Sequence, residues 1–232
     1  MIHFCVLKYG KELKGSFTTN LANELIKPIQ EHNIKFHCYT DDPRGLDPRF
    51  EIHPLLEEDI KKHIHWNMFK FFNPNFINAE EHDQTIYMDI DMLWNQNPSP
   101  MIDHIVDKNE LIAIHRHWQN LDTLDKCELH DSFIKFNSWD LADLGKIYFS
   151  DPEHWQKHYY ETGQCSIPRY GVQNFIWEQT TKLATHRITY LPSEWVFKSH
   201  IDKHTLYAEQ YELKTGRDYY TDFDNAILHY PT

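Results

Sequence analysis

The stretch Thr85-Ile86-Tyr87-Met88-Asp89-Ile90-Asp91-Met92-Leu93-Trp94 constrains this chain more than any other. Its β-branched and aromatic residues read as a buried strand. The strand delivers two aspartates one residue apart and then turns apolar again. Aspartates at a strand end usually sit among Gly, Pro or Asn in a turn. Here the neighbours are Met88, Ile90, Met92 and Leu93, so both carboxylates are costly to bury unless something offsets their charge. A hard divalent cation shared with phosphate oxygens offers the simplest offset.

The 232 residues suffice for one sizeable core, so a single domain over 1–232 is expected. With 41% hydrophobic and 15% aromatic residues and only seven glycines, the chain reads as folded rather than disordered. A formal net charge of −12 argues against a sequence-independent nucleic-acid binder and against a polybasic membrane anchor. No apolar run approaches the ~20 residues of a membrane-spanning helix. The start, Met1 to Leu7 followed by Lys8, lacks the pattern of a signal peptide and reads as a first strand. Cys5, Cys38, Cys127 and Cys165 show no paired close spacing, which suggests free core thiols and a cytoplasmic location. The pairs His63/His65 and His115/His117 have no partner cysteines, so a zinc module is a weak reading.

Strand patterns fall at Ile2–Leu7, Ile34–Thr40, Phe50–His53, the run into Asp89, Leu111–His115, Phe133–Phe136, Arg187–Leu191 and Ala226–His229. Helical patterns fall at Phe17–Gln30, His63–Phe72, Asp140–Phe149, Glu153–Tyr160 and Tyr170–Thr180. Ile64, Met68 and Phe72 share one face of the second, and Asp151 with Pro152 starts the fourth. Strands alternating with helices predict an α/β sandwich with a mostly parallel sheet. Ligands of such sheets bind beyond the carboxyl ends of the strands, where Asp89 and Asp91 fall.

Trp66-Asn67-Met68-Phe69-Lys70, Tyr87-Met88-Asp89-Ile90-Asp91 and Phe136-Asn137-Ser138 follow one another in an order that resembles the nucleotide-sugar glycosyltransferases of the GT-A fold. Family 8, with glycogenin and the bacterial lipooligosaccharide galactosyltransferases, is the group most similar. Asp89-Ile90-Asp91 matches its DxD metal motif, and Ile227-Leu228-His229-Tyr230 resembles its late histidine segment. The resemblance implies a Rossmann-like GT-A domain in which Asp89, Asp91 and His229 hold Mn²⁺, or Mg²⁺, against the diphosphate of a UDP-sugar. It further implies that Val6, Leu7 and Tyr9 cradle the base, that Thr40 and Asp41 lie beneath base and ribose, and that Asn137 contacts sugar hydroxyls. Gln173 would sit at the reacting face and Lys70 would face the donor, while Trp195 would line the acceptor side.

Two departures stand out. Val172 replaces the aspartate that precedes the glutamine in the family, and the segment after the late histidine stops at Pro231-Thr232, so either another basic residue such as Lys11 or Arg169 meets the diphosphate or diphosphate binding is weaker. The implied activity is metal-dependent transfer of a sugar from a nucleotide donor to a saccharide or other hydroxyl acceptor, with retention. The departures motivate an alternative, a catalytically silent sugar-nucleotide-binding or interaction domain. A nucleotidyltransferase would need a Gly-rich, Arg-bearing loop, which Lys8-Tyr9-Gly10-Lys11-Glu12 does not supply.

Overall fold

The computed structural model describes residues 1–9, 33–60, 64–116, 124–168, 171–183, 185–199 and 226–231. The helix expected over Phe17–Gln30 and the residues His63, His117, Lys11 and Arg169 lie outside them. The strands are β1 (Ile2–Lys8), β2 (Ile34–Thr40), β3 (Phe50–Pro54), β4 (Gln84–Met88), β5 (Leu93–Trp94), β6 (Glu110–His115), β7 (Leu129–Asn137), β8 (Arg187–Tyr190), β9 (Val196–Ser199) and β10 (Leu228–Pro231). The α-helices are α1 (Glu57–Ile60), α2 (Ser99–Ile102), α3 (Ala142–Ser150), α4 (Pro152–Glu161) and α5 (Gly171–Lys182).

Seven strands form one sheet in the order β3-β2-β1-β4-β7-β6-β8, and β5, β10 and β9 form a small second sheet. The pairs β1–β2, β2–β3, β1–β4 and β6–β8 are parallel. Strand β7 runs antiparallel to both its neighbours, β4 and β6. The chain leaves β1 toward β2 and β3, then returns to β4 on the other side of β1. That reversal makes the carboxyl ends of β1 and β4 a topological switch point, the crevice where open α/β sheets bind ligands.

Alternation along the strands divides the core between the two faces of the sheet. Phe4 and Val6 of β1, with Ile86 and Met88 of β4, pack on one face against Ile112, Phe133 and Met101. Cys5, Leu7 and Tyr87 pack on the other, against Trp66, Phe69, Phe72, Tyr148 and Phe175.

The segment Ile64–Phe72 is a 3-10 helix rather than the expected α-helix. Three residues per turn place Trp66, Phe69 and Phe72 above one another. Their ring centroids are 5.8 and 5.3 Å apart, and Phe72 stacks on Phe136 of β7 at 4.8 Å. The row of large rings, all wholly buried, replaces the four-residue periodicity that Ile64, Met68 and Phe72 suggested. Asp151 caps α4 as expected, its carboxylate accepting from the His154 amide at 3.1 Å with Pro152 at the first position. All four cysteines are free and buried. No helix among the described residues is long and apolar enough to cross a membrane.

Candidate active site

At the carboxyl end of β4 the chain makes a tight turn, with the Met92 amide bonded to the Asp89 carbonyl at 3.2 Å. Ile90 and Met92 are buried in the face of the core that holds Met88, which leaves Asp89 and Asp91 to project the other way. Asp89 is held firmly. Its amide donates to the Ser132 carbonyl at 2.9 Å. One carboxylate oxygen accepts from the Tyr87 hydroxyl at 2.9 Å and the other from the Ser132 hydroxyl at 2.8 Å.

Burial raises the pKa of Asp89, against the opposing pull of the Ser132 and Tyr87 hydroxyls. Asp91 is also raised, by burial and by the charge of Asp89, with its own amide and His65 opposing. A third carboxylate belongs to the group. Asp131, on β7 beside Ser132, is pushed up to about 7 by burial and by Asp89, against its own amide and Arg116. Burial, with the charge of Asp89 on both Asp91 and Asp131, holds these carboxylates back from ionising, while Arg116, His65 and His130, 4.0 Å from Asp131, favour their charged form. A divalent cation bound there would favour the charged carboxylates, and hard oxygens of this kind suit Mn²⁺ or Mg²⁺.

Two further links surround the turn. The Tyr9 hydroxyl lies 2.8 Å from Nε2 of His65, ring edge to ring. On the β7 side, Arg116 donates to Asp125 at 3.0 Å and to the Cys127 carbonyl at 3.1 Å. Asp125 in turn accepts from Asn174 of α5 at 3.0 Å. Gln173 is thus buried on the first turns of a helix tied to the same wall. Val172 is wholly buried in the aromatic core, so it offers nothing polar.

The remaining expected residues divide. Thr40 ends β2, and its hydroxyl accepts from the Asp42 amide at 3.0 Å, a turn that leaves Asp41 exposed beside the end of β1. The Lys8 ammonium closes the same corner on the Asp42 carbonyl at 2.8 Å. Val6 and Leu7 are buried with side chains in opposite core faces, so any contact with a ligand would come from their backbone. The Lys70 ammonium lies 5.2 Å over the Phe149 ring of α3, a cation–π contact. Trp195 meets His104 edge-on at 6.2 Å. The backbone of His229 pairs with Leu93, just past the Asp89–Asp91 turn; its side chain lies outside the described structure.

Asn137 is a correction. Because β7 is antiparallel to β4, Asn137 pairs with Gln84 at the amino end of β4, whereas Phe133 pairs with Met88. At about 3.3 Å per residue, Asn137 lies roughly 17 Å along the sheet from Asp89. There its amide donates to Asp140 at 3.0 Å and to the Asp107 carbonyl at 3.2 Å, closing a loop. The residues that β7 does bring to Asp89 are Asp131 and Ser132, at its opposite end. A polar pair ahead of the strand pattern Phe133–Phe136 was the only trace of them in the sequence. A cavity of about 460 Å³ opens at the Asn137 end, between Met1, Gln84, Ile102, His104 and Lys135. It is a strand's length from the carboxylates and takes no part in this site.

No protein-family model matches the chain, and no curated protein matches its sequence. Solved structures do match. The galactosyltransferase LgtC, in complex with donor and acceptor sugar analogues, aligns with a TM-score of 0.63 and 12% identity, over 99% of this chain and 86% of LgtC. The glycosyltransferase GlyE of Streptococcus pneumoniae TIGR4 aligns with a TM-score of 0.56 and 9% identity, over 99% of this chain but 54% of GlyE. The chain therefore has the GT-A-like fold of these glycosyltransferases, with the Asp89–Asp91 turn at the switch point of its sheet.

Proposed function

We propose that the chain is a metal-dependent glycosyltransferase. In this reading it moves a sugar from a UDP-linked donor to a hydroxyl of a saccharide or other acceptor, with retention. The observation that carries the proposal is the pair of carboxylates Asp89 and Asp91, with Asp131 beside Asp89 and ionisation of all three opposed by burial, at the switch point of a glycosyltransferase-like sheet. Asp89, Asp91 and His229 would hold Mn²⁺, or Mg²⁺, which supplies charge stabilisation to the departing diphosphate.

The roles of the chain's own groups follow from their positions. Tyr87 and Ser132 each occupy one Asp89 oxygen and so set the plane of that carboxylate, leaving a lone pair on each. Asp131 takes the role expected of Asn137, accepting a hydrogen bond from a donor-sugar hydroxyl. Thr40, Asp41 and Tyr9, at the carboxyl ends of β2 and β1, form the side that receives the nucleoside. Gln173 orients the acceptor or the sugar rather than acting as a nucleophile, since an amide is a poor one.

Thermal unfolding with UDP and UDP-sugars, with and without Mn²⁺, tests the binding half, because ligands that bind the folded state raise its midpoint. The expected result is a midpoint rise that requires both nucleotide and metal and disappears in Asp91→Asn. Equal shifts with and without metal would sink the proposal. The buried Val172 favours a second reading, a silent nucleotide-sugar-binding domain. Metal-dependent nucleotide binding without turnover of any sugar donor would select it. The anomeric configuration of the product tests retention.

A further inference from the structure

On the face of the sheet that carries Cys5 and Tyr39, but toward its amino end and its free edge, four polar residues converge from three parallel strands. His3 belongs to β1, His37 to β2, and Glu51 and His53 to β3. The register pairs His37 with Glu51. His37 is wholly buried and His53 half-buried, while the Glu51 side chain is 41% exposed. One donor atom from each of His37, Glu51 and His53 can be chosen so that all lie within 4.8 Å of one another. Among the described residues this is the one group of three metal-ligating side chains so close together.

We propose that His37, Glu51 and His53 form a zinc site, separate from the Asp89–Asp91 turn, that pins the edge strand β3 to β2. The distances suit the ion. Nδ1 of His37 lies 3.0 Å from Nε2 of His53 and 3.8 Å from a Glu51 oxygen. With bonds of about 2.0–2.1 Å, a tetrahedral zinc site places its ligand atoms about 3.3 Å apart, between those two values. Two imidazoles and one carboxylate are also a ligand set that zinc accepts, with water at the fourth position on the exposed Glu51 side.

The surroundings of His37 point its lone pair at the site. Asp83 accepts from Nε2 of His3 at 3.1 Å, which fixes the proton of that ring on Nε2. Nδ1 of His3 is then an acceptor, and it lies 2.9 Å from Nε2 of His37. His37 therefore carries its proton on Nε2 and presents a bare Nδ1 to His53 and Glu51. This carboxylate–imidazole–imidazole relay is the kind of outer support that orients metal-bound histidines. Asp83 is itself held by the Met1 ammonium at 2.9 Å and the Glu80 amide at 2.8 Å. Lys35 lies 3.5 Å from the same Glu51 oxygen and is 44% exposed, so its ammonium can swing into solvent when a cation binds. The access route is short, because β3 is the last strand of its sheet.

The test uses the full chain with Asp91→Asn, so that the carboxylate turn does not compete, stripped with EDTA and titrated with Zn²⁺ against a chromophoric chelator. One equivalent should bind. His53→Ala should weaken binding at least about 100-fold, and Asp83→Asn about 10-fold through the relay. Co²⁺ in place of Zn²⁺ should give the strong visible absorption of four-coordinate cobalt, bleached by EDTA. Glu51→Gln, a near-isosteric change at an exposed position, guards against misfolding of His53→Ala and should also lose affinity. Binding unchanged in both variants, no binding at all, or only the faint spectrum of six-coordinate cobalt would each overturn the proposal.

Discussion

Lys135 offers a sharp test of the burial assigned to β7. It is 1% exposed in the middle of that strand, and its ammonium is held by the carbonyls of Ile102 and His104, the latter at 2.7 Å. Burial pulls its pKa from 10.5 down to about 8, against the opposing charge of Asp103. A lysine lowered on folding binds its proton more weakly in the native state, so it penalises the fold wherever it must remain charged. The penalty is complete below pH 8 and is relieved as the pH rises through the native pKa toward the unfolded value of 10.5. A shift from 10.5 to about 8, at about 1.4 kcal/mol per unit, amounts to about 3 kcal/mol. Buried thiols and phenols, raised by burial, ionise in that range only when unfolded and so lower stability as pH rises, which means the wild-type curve alone does not isolate the lysine. Lys135→Met removes the titration and leaves those groups in place. The stability difference between wild type and Lys135→Met, from urea unfolding between pH 7 and 10.5, should move by about 3 kcal/mol in favour of the wild type as pH rises. A difference that stays flat across that range, or moves the other way, refutes the burial argument.

Other expectations follow from single contacts. Phe69→Ala empties the centre of the ring stack on Trp66 and Phe72 and should cost about 3–5 kcal/mol by denaturant unfolding. Asp151→Ala removes the cap of α4 and should cost about 1 kcal/mol in the same assay, with little effect on nucleotide binding. Tyr87→Phe takes one hydroxyl from a buried carboxylate and should destabilise the fold at neutral pH by about 1.5–3 kcal/mol, the range for hydrogen bonds to charged groups. In the presence of Mn²⁺ and UDP, Tyr87→Phe should also show a smaller thermal midpoint rise than wild type, because Asp89 is no longer held in plane.

Much of the architecture was legible beforehand. The strands around Phe4, Phe36, Ile86 and Ile112 announce themselves as apolar runs, since an extended backbone shows its neighbours a period of two. The Asp89–Asp91 turn was legible for the opposite reason, as charge set among residues that bury. The 3-10 winding of Ile64–Phe72 was not. Its pattern fits both three and 3.6 residues per turn, and ring packing on Phe136 and Tyr148 decides between them. Of the small sheet, β10 was anticipated as the strand pattern at Ala226–His229, but β5 and β9 were hidden, because two to four residues are too few to establish a period.

The sequence by itself determined where the strands of the main sheet lie, which apolar residues face the core, and that two carboxylates end the fourth strand. These are local matters of side-chain sterics and alternation. Only the tertiary structure decided which way β7 runs. A period of two reads the same in both directions, so nothing within Leu129–Asn137 distinguishes Asp131 from Asn137 as the residue beside Asp89. The direction is set by how the chain returns to pair with β4, a long-range choice made by the whole sheet. The same holds at the sheet edge. His3, His37 and His53 are ordinary histidines until parallel pairing of three strands, far apart in the chain, places the rings of His3 and His53 each about 5 Å from that of His37.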